Sequence, residues 1–158
     1  MLRFPHKRIR AQVIKDYIDG QRVVCFSCGN AAAALQDIGV DTLHIGEKGD
    51  LTPNRWFTQA DIKKAFPQHF DATSGHLPIE LMNLLSAAYK KYLGDLPPVV
   101  YLPTGSGETL VCLKMAYPNT RFVAVYNLDD STRYDKECPL NDLVKALAYE
   151  VIINPAPL

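Results

Sequence analysis

Short, almost wholly apolar segments alternate with helical segments along this chain. The clearest apolar segments are Val99–Leu102 and Arg121–Tyr126, in which polar and apolar residues do not alternate as they would in a strand with one wet face. Strands that are apolar throughout are typical of parallel sheets, because helices cover both of their faces. The sequence therefore predicts an α/β fold, with a doubly wound, mainly parallel sheet of about five strands and helices on both faces.

The chain has 158 residues, a length that suits one domain with its own core, so residues 1–158 are predicted to form a single α/β domain. Apolar residues at helical spacing and glycines at helix ends predict where the helices lie, and short apolar runs predict the strands. Helices are predicted at Arg8–Asp19, Ala31–Ile38, from Thr58 to Phe66, Pro78–Tyr92, after Gly107 as far as Tyr117, and Leu140–Tyr149. Strands are predicted at Arg22–Phe26, Asp41–Ile45, His69–Ala72, Val99–Leu102, Arg121–Tyr126 and Glu150–Ile153.

The charges balance, with 17 basic and 17 acidic residues. A chain without net charge has no general field that attracts nucleic acid or an anionic membrane, so neither is expected as a partner. A local basic cluster near the N-terminus comprises Arg3, His6, Lys7, Arg8 and Arg10, and it indicates either a solvated helix start or an anion-binding edge. Since no apolar run approaches the ~20 residues of a membrane span and no signal-peptide core is found, we expect a cytoplasmic protein.

Cysteine and histidine residues do not form a metal-binding pattern. Cys25 and Cys28 have C-x-x-C spacing, but Cys25 lies inside an apolar strand and is expected to pack as a small hydrophobic residue. No histidine has a partner at metal-ligand spacing, so no metal is predicted, while His76 in a polar loop stays a candidate site residue. Tyr101 and Tyr126 are interpreted as core residues.

Two loops of small residues follow predicted strands: Ser27–Asn30 and Thr104–Gly107. The carboxyl ends of parallel strands meet at one edge of a sheet, where ligands bind. In the second loop, glycines precede a helix start, so that backbone N–H groups and the positive end of the helix dipole point toward one place. This arrangement suits a phosphate group.

The segment Pro103–Thr109 resembles the first motif of helicase-type ATPases at every position except one. That motif has a lysine where this chain has Glu108, and a carboxylate there would repel a polyphosphate. A degenerate P-loop domain therefore stays only as an alternative. A carboxylate beside a phosphate dianion is tolerable only if the side chain of Glu108 turns outward along the first turn of the helix.

The segment Phe26–Leu35 resembles the Ser-Ser/Ala-Gly-Asn-x-x-x-Ala segment of fold-type II pyridoxal-phosphate enzymes. That family includes threonine synthase, cysteine synthase, serine/threonine dehydratases and aminocyclopropane-carboxylate deaminase. Pro103–Thr109 and Arg121–Tyr126 are similar to the family's phosphate-binding loop and the strand that comes next. The resemblance implies pyridoxal 5'-phosphate as cofactor and Lys7 as the lysine that bonds it. The implied binding residues are Ser27, Gly29 and Asn30 for a substrate carboxylate, Asn30 for the ring hydroxyl, and Gly105, Ser106, Gly107 and Thr109 for the phosphate.

The same resemblance implies a lyase or transferase of amino-acid metabolism that acts on a small amino acid, in a shortened form and as a possible homodimer. The form is called shortened because the two loops are close in sequence for the family and little chain follows Tyr126. The alternative is a non-catalytic module that retains the fold and binds a phosphate-bearing ligand or a partner protein. In that case Lys7 is a surface lysine, and the glycines only permit a tight turn.

Overall fold

Helices and strands alternate in a computed structural model that describes residues 6–26, 30–45, 59–73, 75–127 and 140–154. The helices are α1 (His6–Ile18), α2 (Asn30–Asp37), α3 (Gln59–Ala65), α4 (Ile79–Leu93), α5 (Glu108–Ala116) and α6 (Asn141–Leu147). The strands are β1 (Val23–Phe26), β2 (Thr42–Ile45), β3 (Phe70–Asp71), β4 (Val99–Pro103), β5 (Arg121–Asn127) and β6 (Glu150–Asn154). Every predicted element that falls in these ranges has the predicted type, although β3 is shorter than expected and α1 begins earlier, at His6.

The strands form two sheets, in the orders β2-β1-β3 and β4-β5-β6, and every strand pair is parallel. The parallel α/β fold is therefore confirmed. The strands differ from the prediction in one respect: they are divided between two sheets of three strands and do not form one sheet of about five. A buried parallel strand has the same apolar pattern in whichever sheet it pairs, so the pattern carries no information about its neighbour.

The chain divides into two compact units, Met1–Leu81 and Met82–Leu158, each with one of the sheets. The boundary between them falls within α4. A single domain over residues 1–158 stays a prediction.

In the first unit, β1 lies between its two neighbours, and its residues Val23 and Val24 are fully buried. Cys25 is buried with Ala31 and Ala32 of α2, which confirms that it packs as a small hydrophobic residue. From α1, Ile14 and Ile18 enter the core.

In the second unit, β5 lies between β4 and β6, and Phe122, Val123, Ala124 and Tyr126 are buried. The prediction that Tyr126 is a core residue is confirmed. The same prediction for Tyr101 is wrong, since 65% of that residue is exposed. In the described part of the sheet β4 is an edge strand, and its alternate residues face away from the core.

No helix in the ranges that the structure describes is both long enough and apolar enough to cross a membrane.

Candidate functional site

The loop between β4 and α5 begins on the carboxyl edge of its sheet. The N–H of Thr104 donates to the carbonyl oxygen of Val125 at 2.8 Å, which continues the pairing of β4 with β5. The hydroxyl of Thr104 donates to the carbonyl oxygen of Leu102 at 2.7 Å. Thr104 is buried, so the loop leaves the sheet from a firmly bonded position.

Gly107, the residue before α5, is required by its backbone conformation and by its surroundings. Its φ of 93° lies in the left-handed region, which side chains rarely adopt. A Cβ at this position would also clash with the side chain of Val144 in α6. Gly107 therefore has a structural role, which it would keep alongside any role in phosphate binding.

The first turn of α5 presents backbone donors. The first N–H that bonds a helical carbonyl is that of Val111, which donates to Gly107 O at 3.0 Å. The N–H groups of Thr109 and Leu110 precede this bond, and the first N–H groups of a helix have no partner within the helix. Ser106 Oγ accepts from the Glu108 N–H at 3.5 Å. The donor set of residues 105–109 therefore fits a phosphate, with backbone N–H groups and a hydroxyl next to a helix N-terminus.

Glu108 is buried, with only 5% of the residue exposed. The condition that its side chain turns outward from the helix is therefore not met. The reason is that the first two turns of α5 have almost no outward face: the other buried residues there are Leu110, Val111, Cys112 and Leu113. The loop thus has a buried carboxylate at the position where a P-loop has its lysine.

Lys7 is the second residue of α1 and is half-buried. It lies in the first turn of the helix that precedes β1, the place that the family resemblance assigns to the coenzyme-bonding lysine. Ser27 and Gly29 lie outside the described residues, and Asn30 is described as the first residue of α2. Lys7 belongs to the first unit and residues 105–109 to the second.

The sheet of the first unit has a topological switch point. With the order β2-β1-β3, the chain continues from β1 to the neighbour on one side and then to the neighbour on the other side. In open α/β sheets, ligands bind outside the carboxyl ends of the strands at such a point. Here the residues after the carboxyl end of β3 are Ala72–His76.

A polar cluster lies at the end of β3 and consists of Arg10, Asp71, Thr73 and His76. The Nη2 of Arg10 donates to the carbonyl oxygen of Ala72 at 2.6 Å, and only 3% of Arg10 is exposed. Asp71 Oδ1 accepts from the Thr73 N–H at 2.7 Å, and the His76 N–H donates to Thr73 O at 3.1 Å. Within the described ranges, no three His, Cys, Asp or Glu side chains come together as metal ligands.

The sequence singled out only His76 as a possible site residue in this cluster, and it placed Arg10 in the basic N-terminal cluster. Arg10 is neither solvated nor part of an exposed basic edge, because it is buried and bonded to a carbonyl. A signal was present in the sequence: Arg10, Ile14 and Ile18 are four residues apart and share one face of a helix. A basic residue on an otherwise apolar helix face requires a buried partner.

Burial raises the pKa of Asp71 above the 3.8 of an unperturbed aspartate. Hydrogen bonding from Thr73 and the nearby charges of His76 and Arg10 lower it, but burial has the larger effect. Asp71 therefore holds its proton to higher pH in the folded protein than in the unfolded chain.

No protein-family model matches the sequence, and no match is found among curated proteins. Among solved structures, the crystal structure of a threonine deaminase from T.th. matches with a TM-score of 0.55 and 16% sequence identity. The match covers 93% of this chain and 63% of the other. The chain shares its fold with a threonine deaminase.

Serine/threonine dehydratases are among the fold-type II pyridoxal-phosphate enzymes that the sequence motifs resemble. At this identity the structural match shows a shared fold and nothing about function. This chain spans 63% of the length of the matching structure.

Proposed function

We propose that this chain binds pyridoxal 5'-phosphate, with Lys7 as the residue that bonds the coenzyme. The observation that carries the proposal is the fold shared with a threonine deaminase. Two local features support it. Lys7 lies in the first turn of the helix before β1, and a glycine loop with phosphate-binding donors lies between β4 and α5.

In this proposal the predicted residues bind different parts of the coenzyme and the substrate. The amine of Lys7 would bond the coenzyme. Ser27, Gly29 and Asn30 hold the substrate carboxylate, and Asn30 also bonds the ring hydroxyl. The phosphate is held by Gly105, Ser106, Gly107 and Thr109 through the donors at the start of α5.

The proposed activity is that of a lyase or transferase on a small amino acid. When bound, the coenzyme supplies an electron sink that weakens the bonds at the α-carbon of an amino acid. The protein would supply orientation, by holding the coenzyme and the substrate carboxylate in place.

Coenzyme binding is tested by mixing the purified protein with pyridoxal phosphate and recording its near-ultraviolet and violet absorbance. We expect the band of a coenzyme joined to a lysine amine, and we expect Lys7→Ala to abolish it. Lys63→Ala is the matched control, because it removes an exposed lysine of the same unit and should leave the band unchanged. Reduction with borohydride followed by mass spectrometry then identifies the modified lysine. A band that survives in Lys7→Ala, or its absence from the wild type, contradicts the proposal.

The buried carboxylate of Glu108 favours a second candidate, a non-catalytic module that retains the fold and binds a partner at the loop edge. Absence of the absorbance band in the wild type supports this candidate. Nucleotide binding by Glu108→Lys but not by the wild type would instead support a degenerate P-loop domain.

A further inference from the structure

Two contacts show that α1 runs antiparallel to β3. Near the end of α1, the ring of Tyr17 packs against that of Phe70, the first residue of β3, with the ring centroids 5.8 Å apart. Near the start of α1, Arg10 Nη2 donates at 2.6 Å to the carbonyl oxygen of Ala72, the residue directly after β3. The first turn of α1 therefore lies at the carboxyl edge of this sheet, where ligands bind in parallel α/β folds.

Arg10 joins this end of α1 to the sheet. It is the first buried residue of the helix, since residues 6–9 are half-buried or exposed. The first N–H groups of a helix have no partner within the helix, so its first turn loses order most easily. The bond from Arg10 to Ala72 opposes this loss, because breaking it would leave a buried charge with one partner fewer.

Lys7 lies three residues before Arg10, which is about 4.5 Å along the helix axis. Residues at this spacing are neighbours on the surface of a helix. If the first turn lost its order, the Lys7 amine would no longer have a defined place at the sheet edge. A coenzyme that bonds this amine would then have to restore the order, and its apparent affinity would fall.

We propose that Arg10 is a positioning residue, which fixes the first turn of α1, and with it Lys7, at the carboxyl edge of the sheet. This inference rests on the proposed coenzyme binding by Lys7. In this role Arg10 touches neither the coenzyme nor the substrate, so it affects the bond to Lys7 and not the phosphate. Loss of its contact should therefore weaken the binding of pyridoxal and of pyridoxal phosphate by the same factor.

The test compares Arg10→Met with the wild type. Methionine keeps much of the side-chain volume and removes the donor to the Ala72 carbonyl. The dissociation constants of pyridoxal and of pyridoxal phosphate are measured by absorbance titration, at a temperature where circular dichroism shows both proteins folded. We expect Arg10→Met to bind both compounds about tenfold more weakly, which corresponds to a first turn that is ordered about a tenth of the time.

Hydrogen exchange of the coenzyme-free proteins, followed by mass spectrometry, gives a second readout that does not depend on binding. We expect Arg10→Met to exchange faster than the wild type in peptides that cover the first two turns of α1. Peptides from the last turn of α1 should exchange at the same rate in both proteins.

Two control variants change the same helix away from Lys7. Lys15→Met removes another charged donor to a carbonyl, since Lys15 Nζ donates to Ile38 O at 2.9 Å about two turns after Lys7. Ile18→Ala removes a buried side chain at the end of α1 and lowers the stability of the whole unit. Both variants should bind pyridoxal and pyridoxal phosphate as the wild type does.

Equal affinities of Arg10→Met and the wild type, or equal exchange in the first two turns, overturn the inference and leave the proposed function standing. A loss confined to pyridoxal phosphate also overturns it, because Arg10 would then bind the phosphate itself. A similar loss in Ile18→Ala does so too, since lower stability would explain both. If the wild type binds neither compound, the proposed function fails and the inference with it.

A second variant replaces Arg10→Met if that protein fails to fold. Arg10→Gln keeps an N–H donor on a shorter, neutral side chain. We expect it to weaken the binding of both compounds by a common factor smaller than tenfold, and unchanged binding overturns the inference.

Discussion

At the scale of single residues, Gly107 shows two separate constraints at one position. The residue has a left-handed backbone, and a Cβ there would clash with Val144. We expect Gly107→Ala to lower the free energy of unfolding by about 2–4 kcal/mol, from backbone strain and steric overlap together. Chemical denaturation followed by circular dichroism measures the change.

Gly94→Ala is the matched control for this change. Gly94 also has a positive φ, of 66°, but no heavy atom lies within 4 Å of an added Cβ. Its substitution should therefore show the backbone strain alone, about 1 kcal/mol. Val144→Ala should recover part of the loss when combined with Gly107→Ala. Equal losses at Gly107 and Gly94, or no recovery, would contradict the steric explanation.

Asp71 gives a prediction about pH. Because burial raises its pKa above 3.8, the unfolded chain binds fewer protons than the folded protein once pH exceeds that value. The contribution of Asp71 to the free energy of unfolding therefore falls as pH rises from about 4 through the raised pKa. Asp71→Asn cannot titrate, yet its side-chain oxygen can still accept from the Thr73 N–H.

The measurement is the difference in free energy of unfolding between the wild type and Asp71→Asn, taken from about pH 4 to about pH 7. We expect the wild type to lose stability relative to the variant over this range. A constant difference would show that folding does not shift the pKa of Asp71, and a difference that moves toward the wild type as pH rises would show that Thr73, His76 and Arg10 together outweigh burial at this carboxyl.

Residue chemistry alone predicted some of these features and not others. Glycine at position 107 followed from the need for a tight strand-to-helix turn, and burial of Cys25 followed from its apolar strand. The direction of the Glu108 side chain did not follow, because an acidic residue in the first turn of a helix is equally acceptable on an exposed face. Tyr101 is exposed because β4 is an edge strand in the described part of its sheet. The sequence of β4 alone does not show that it lies at an edge.

At the scale of elements, Arg10 connects α1 to the segment after β3. Its buried guanidinium donates to Ala72 O and lies near the Asp71 carboxyl. Arg10→Met keeps much of the side-chain volume but leaves a buried carbonyl without this donor. We expect it to lower the free energy of unfolding by about 2–4 kcal/mol, as measured by chemical denaturation.

Arg8→Met is the matched control on the same helix, because Arg8 is exposed. It should change the free energy of unfolding by less than about 0.5 kcal/mol. Similar effects of the two substitutions would show that the contact between Arg10 and Ala72 adds no stability.

Helices and strands were the most predictable level of this protein. Apolar spacing along α1 and α4 placed both helices, and the apolar runs of β4 and β5 placed both strands. Boundaries were less exact, as at β3, where only Phe70 and Asp71 pair with β1. The length of a strand depends on how many of its residues pair with the neighbouring strand. The sequence of one strand does not determine that number.

At the scale of the whole molecule, the strands in the described ranges separate into two sheets and the chain into two units. The sequence predicted parallel strands, and every strand pair is parallel. It did not predict which strands pair, because parallel neighbours are joined through helices and are distant in sequence. The fold shared with a threonine deaminase was indicated by the motifs around the two loops, at an identity of only 16%.

The sequence by itself determined the element types, the parallel α/β class and the glycine loop before α5. It could do so because local spacing and backbone preference act over a few residues. Only the tertiary structure decided that Arg10 is bonded inside the first unit, that Glu108 is buried at the loop, and that the strands form two sheets. Each of these depends on which distant segments pack together. The charge, length and apolar spacing of a single segment do not determine that choice.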